Sequence, residues 1–82
     1  MIKKMYVGNL AFQSTEDDLQ KLFAQYGEVK SVNLITDRDT GRSRGFAFVE
    51  MDDEAADEAM KKLDGMDFEG RNLKINEARP RT

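Results

Sequence analysis

The chain is 82 residues long with a formal net charge of −3 and neither cysteine nor histidine; one domain is expected, spanning 1–82 with its core at about 4–78. It can form no disulfide and offers no thiolate or imidazole chemistry and no zinc-ligand set; with no phosphate-cradling glycine loop either, no enzyme activity, metal or cofactor is expected. No apolar run approaches the ~20 residues of a bilayer span and no signal-peptide pattern opens the chain, so a cytoplasmic monomer without a membrane partner is expected.

In chain order, Lys4 to Gly8 reads as a first strand. Ser14 or Thr15 offers an N-cap, and Glu16, Asp17 and Asp18 put negative charge in the first turn, where the helix dipole favours it. Leu19, Leu22, Phe23 and Tyr26 follow at i, i+3, i+4 and i+7, an apolar helical stripe that stops at Gly27. Val29 to Thr36 is a second strand, with Val32 and Leu34 on one face and Asn33 and Ile35 on the other. Residues Asp37 to Ser43 are rich in turn formers and lead into a third strand at Arg44. Their opening Asp-Arg-Asp-Thr-Gly is reminiscent of a calcium loop, but the glycine and the distal glutamate do not fall where such a loop needs them. Asp52 or Asp53 caps a second helix carrying Ala56, Ala59, Met60 and Leu63, closed near Gly65. After Gly70, Leu73 and Ile75 alternate with Lys74 and Asn76 in a fourth strand.

The order is βαββαβ, an α+β, ferredoxin-like arrangement with a four-stranded antiparallel sheet. Each helix connects two strands of that sheet, and right-handed crossovers place both helices on one face. The other face is left open to water.

Two blocks decide what stands on it: Met5-Tyr6-Val7-Gly8-Asn9-Leu10 and Arg44-Gly45-Phe46-Ala47-Phe48-Val49-Glu50-Met51. In the second, Gly45, Ala47 and Val49 form a plausible buried set, which leaves Phe46 and Phe48 on the opposite face. A one-residue slip would exchange the faces, but Gly45 and Ala47 would then be poor surface residues for a strand. Exposed aromatics call for a planar partner to stack on them, and Arg44 beside them calls for an anionic one. Nucleobases joined by phosphates meet both demands. Phe12, Phe23 and Phe68 are read as core or loop packing.

Together the two blocks resemble the paired signature of the RNA recognition motif, whose octamer reads K/R-G-F/Y-G/A-F-V-x-F/Y. Residues 44–51 depart from it at Met51, a core-facing position where methionine fills space. The resemblance runs from about Lys4 to Ala78 and is nearest to the short, single-module RNA-binding proteins of bacteria, including cyanobacteria. It implies that Tyr6 and Phe48 each stack on a base, that Phe46 packs against sugars between them, and that Arg44 reaches a phosphate. Lys74 and Asn76 would flank Tyr6 on the open face, and Asn33 and Ile35 would extend it on the other side. Arg38, Arg42 and Arg79 would close over it from the loop and the C-terminal segment. Such proteins often carry a glycine-rich tail; this chain stops at Arg81-Thr82, which implies modest affinity.

The charge distribution agrees with that expectation. Residues 52–69 hold eight acids against Lys61 and Lys62, whereas 70–82 hold Arg71, Lys74, Arg79 and Arg81 against Glu77. Lys3, Lys4, Arg38, Arg42 and Arg44 lie beside the two blocks. The acidic second helix reads as a solvated outer face, with a basic protein partner as the alternative. The expected function is therefore single-stranded RNA binding. Single-stranded DNA binding, and protein–protein interaction on the same fold, are the alternatives.

Overall fold

The computed structural model describes residues 1–11 and 13–78; Phe12, Arg79 and Arg81 lie outside the described residues. The elements are β1 (Ile2–Gly8), α1 (Glu16–Ala24), β2 (Val29–Thr36), β3 (Ser43–Asp52), α2 (Asp53–Leu63), β4 (Asp67–Phe68), β5 (Arg71–Asn72) and β6 (Lys74–Glu77). Strands β2, β3, β1 and β6 pair antiparallel in that spatial order, which is the expected βαββαβ sheet. Strands β4 and β5 form a separate small hairpin between α2 and β6, which the hydrophobic pattern did not announce.

Alternation along β1 and β3 builds the core. Met5, Val7, Ala47, Val49 and Met51 are buried on one face with Leu73 and Ile75, and α1 and α2 cover them with Leu19, Leu22, Phe23, Ala56, Ala59 and Leu63. Complete burial of each large apolar side chain contributes about 1.5–3 kcal/mol, so this face anchors the fold.

Of the two candidate caps on α1, Thr15 performs the task. Its Oγ1 accepts from the Asp18 amide at 3.1 Å, and the Asp18 carboxylate accepts from the Thr15 amide at 3.1 Å, a reciprocal capping box. Ser14 is buried and donates instead to Glu69. The helix stops at Ala24, so Tyr26 lies beyond it, although the ring still packs against the core. At α2, Asp52 occupies the N-cap position without a side-chain hydrogen bond to the helix. There the acids of the first turn, Asp53 and Glu54, meet the dipole instead.

The β2–β3 pairing jumps from Leu34↔Ala47 to Thr36↔Ser43, so Arg44, Gly45 and Phe46 bulge opposite Ile35. Gly45 sits at φ +88° in this bulge; its N–H donates to Ser43 Oγ at 3.1 Å and its carbonyl accepts from Leu10 at 2.8 Å. The small residue at this position thus answers a backbone requirement more than helix-side packing. Gly45→Ala should cost about 1–2 kcal/mol, the penalty for an L-residue in left-handed backbone. A urea unfolding series checks this, and an unchanged midpoint would contradict it.

Candidate nucleic-acid interface

Register lines up one row of side chains across the uncovered face. Asn33 pairs with Phe48, Phe48 with Tyr6, and Tyr6 with Asn76. With strands about 4.8 Å apart, the row crosses the sheet in roughly 14 Å. Phe46 joins it two positions before Phe48, and the three rings touch one another. Tyr6 and Phe46 lie 5.7 Å apart between centroids at 32°, Tyr6 and Phe48 6.0 Å at 62°, and Phe46 and Phe48 6.0 Å at 85°. All three rings are half-buried and none belongs to the hydrophobic core or packs on it. Such tilted and edge-on contacts hold a cluster together while leaving ring faces toward solvent.

Gly8 has a specific part in this arrangement. A Cβ there would lie 2.6 Å from Tyr6 Oη, so the tyrosine ring lies down along its own strand over the space that glycine leaves. Gly8 pairs in turn with Lys74, which is exposed beside the row. On the opposite flank a second, polar row runs Ser31–Glu50–Lys4. Ser31 Oγ donates to Glu50 Oε1 at 2.8 Å, and Lys4 Nζ stands 4.8 Å from the Phe48 centroid, a cation–π contact.

Counting in twos from Tyr6 and Phe48 reaches Lys4, Gly8 and Glu50; these were legible positions that the motif resemblance passed over. Ser31 is likewise two positions from Asn33, and its pairing with Glu50 continues the Asn33–Phe48 register, so it too was within reach.

The remaining candidates fall in different places. Arg38, Arg42 and Arg44 are all exposed around the β2–β3 loop. Arg42 and Arg44, with Gln13, Asp37, Thr40 and Ser43, line a recess of about 590 Å³. Asp37 sets the loop's shape: its carboxylate accepts from the Asp39 and Thr40 amides at 2.8 and 3.2 Å, and its backbone bonds Gly41 and Arg42. Ile35 faces the bulge, half-buried and outside the core. Arg79, expected to close over the sheet, lies outside the described residues.

Lys3 departs from expectation. Strand alternation sends it to the helical side, where Nζ lies 2.6 Å from Asp57 Oδ1 and 3.7 Å from Glu77 Oε1. The Asp57 hydrogen bond raises its pKa above the ordinary 10.5, so what the pair contributes is present below that value and fades as pH rises through the folded-state one. Of the two neighbouring lysines, Lys4 alone attends the aromatic row.

Among the described residues no cluster of acids is arranged to hold a metal, and no helix is long and apolar enough to cross a membrane. Residues 5–74 match the family model described as RNA recognition motif. The chain belongs to the RNA recognition motif family. The matched span holds Tyr6, Asn33, Arg44, Phe46, Phe48 and Lys74, and ends two positions before Asn76. A Nostoc sp. protein named "Putative RNA-binding protein RbpD" is 58% identical over 78 residues, covering 94% of this chain and 83% of that protein. The crystal structure of RNA Binding Protein PG1 is 51% identical and superposes with a TM-score of 0.91, covering 98% of both chains. The RNA recognition motif of Rna15, solved with bound RNA (GU), is 31% identical with a TM-score of 0.85, covering 94% of this chain and 83% of that one.

The loop of this RNA recognition motif carries a pH prediction. Hydrogen bonds from the Asp39 and Thr40 amides, helped by the Arg44 charge, hold the Asp37 carboxyl below its ordinary pKa of 3.8. The stabilisation is therefore complete above that value and lost as pH falls through the lowered one. In an NMR acid titration the Asp39 and Thr40 amides should shift together below pH 3.8, and Asp37→Ala should abolish that transition. A midpoint at or above 3.8 would contradict this account.

Proposed function

We propose that this chain is a non-catalytic, single-stranded RNA-binding module whose open sheet face is the binding surface, working as one copy and one domain. The observation that carries the proposal is the aromatic triangle. In a chain of this family, Tyr6, Phe46 and Phe48 contact one another on the face opposite both helices and stay half-exposed. Water gains nothing from three such rings, whereas unstacked bases do.

In this account Tyr6 and Phe48 each take a base, Phe46 packs against the sugars between them, and Asn33 and Asn76 offer amide groups to base edges at the two ends of the row. Lys4, Lys74 and Arg44 meet phosphates around the rim, with Arg38 and Arg42 assisting from the loop. Lys4 must leave the Phe48 face when a base takes it, which frees its ammonium for the backbone. Ring stacking does not need the 2′-hydroxyl, so single-stranded DNA is a second ligand for the same surface.

Titration of fluorescent single-stranded RNA with the chain and with a Phe46→Ala/Phe48→Ala variant, at two salt concentrations, tests the proposal. Each ring should be worth about 1–3 kcal/mol. If three cations are engaged, log affinity should fall with log salt at a slope of about −2. Neither phenylalanine belongs to the hydrophobic core, so the variant should keep a folded circular dichroism spectrum, with a melting temperature lowered by the lost ring contacts. Equal binding by parent and folded variant would overturn the proposal.

A further inference from the structure

An acid on a face that meets a polyanion needs a reason. Glu50 lies on the aromatic side of β3, two positions from Phe48, and is half-buried there. It is not neutralised in place: the opposing Lys4 reaches over the Phe48 ring, and among the described residues no cation stands within ion-pair distance of Glu50. It is held instead by a neutral partner, Ser31, whose hydroxyl donates to Oε1 at 2.8 Å. That bond positions the carboxylate without cancelling its charge, and both oxygens keep lone pairs for further donors.

We propose that Glu50 is a specificity-determining residue that selects guanine at the nucleotide stacked on Phe48, an inference that rests on the sheet being the RNA surface. A carboxylate is an acceptor-only group with two parallel oxygens. Guanine alone among the four bases shows two adjacent donors on its Watson–Crick edge, N1–H and the N2 amino group. Cytosine and adenine each place a ring-nitrogen acceptor beside their single amino donor, which repels the second oxygen. Uracil flanks its one N–H with two carbonyls. Phosphates are repelled by the same charge, so Glu50 also turns the backbone away from its own position and the base edge toward it. Ser31 is a positioning residue that limits the rotamers of the carboxylate.

The test uses four single-stranded RNAs: a short uridine tract, and the same tract with one central guanine, adenine or cytosine. Each is titrated against the parent, Glu50→Gln, Ser31→Ala and the Phe46→Ala/Phe48→Ala variant. The parent should bind the guanine-bearing tract roughly ten-fold more tightly than the others, the size expected of a bidentate base contact. Glu50→Gln, which keeps the shape but replaces one acceptor by a donor, should bring that ratio close to unity without weakening the uridine tract; Ser31→Ala should reduce it partway. If Glu50→Gln instead strengthens binding to all four RNAs alike, Glu50 is only a repulsive charge and the inference is overturned. If the parent binds all four equally while still needing Phe46 and Phe48, the guanine assignment fails and the RNA surface stands. If binding ignores the phenylalanines altogether, both fail.

Discussion

Everything in this molecule depends on the two-sidedness of β1 and β3, the central pair of the sheet. Aliphatic residues at alternate positions are consumed by one face, where both helices seal them from water. The intervening positions have no helix left to cover them, because right-handed crossovers have already spent both on the other side. The chain places its aromatics at those intervening positions and holds them against one another. Ring–ring contacts contribute about 0.5–1.5 kcal/mol each beyond area burial, which offsets part of the cost of leaving them wet. The result is a rigid platform: aromatic side chains have few rotamers, so little conformational entropy remains to be lost when a ligand lands.

Electrostatics follows the same division. The net charge of −3 describes the whole surface and misdescribes the face that matters. Acids are concentrated on α2, behind the sheet, where Asp57 pairs with the Lys3 that strand alternation places on that side. Lys4 and Lys74 stay on the aromatic side, and Arg38, Arg42 and Arg44 surround the loop at one end. With a Debye length of about 8 Å at physiological salt, a ligand approaching the open face is steered by those near cations far more than by acids across the sheet.

Much of this was legible in the sequence, for a physical reason. Period-two alternation holds through β1 and from Phe46 to Met51 in β3, so the faces of Tyr6, Phe46 and Phe48 follow from counting. The αβ order follows from the helical stripes, and the caps from Thr15 and the acids after it. Features that alternation cannot encode were not legible. The bulge at Gly45 changes how Arg44 relates to the row, and the register shift between Val29 and Ser31 displaces the start of β2 against Met51. The β4–β5 hairpin is two residues a side, and its turn has positive φ at Glu69 and Gly70. Glutamate stands where such turns usually announce themselves with asparagine or aspartate. The split between Lys3 and Lys4 was within reach of the counting rule, but reading the two as one basic pair concealed it.

The most direct measurement of the central claim is a site-resolved map of where RNA lands. Aromatic ¹³C–¹H spectra of the labelled chain, recorded while a short single-stranded RNA is added, would resolve the rings individually. Tyr6, Phe46 and Phe48 should move together to saturation, along with the side-chain amides of Asn33 and Asn76, while the buried Phe23 stays still. Saturable shifts confined to α2, with the three rings unmoved, would contradict the account and transfer the working surface to the acidic side of the fold.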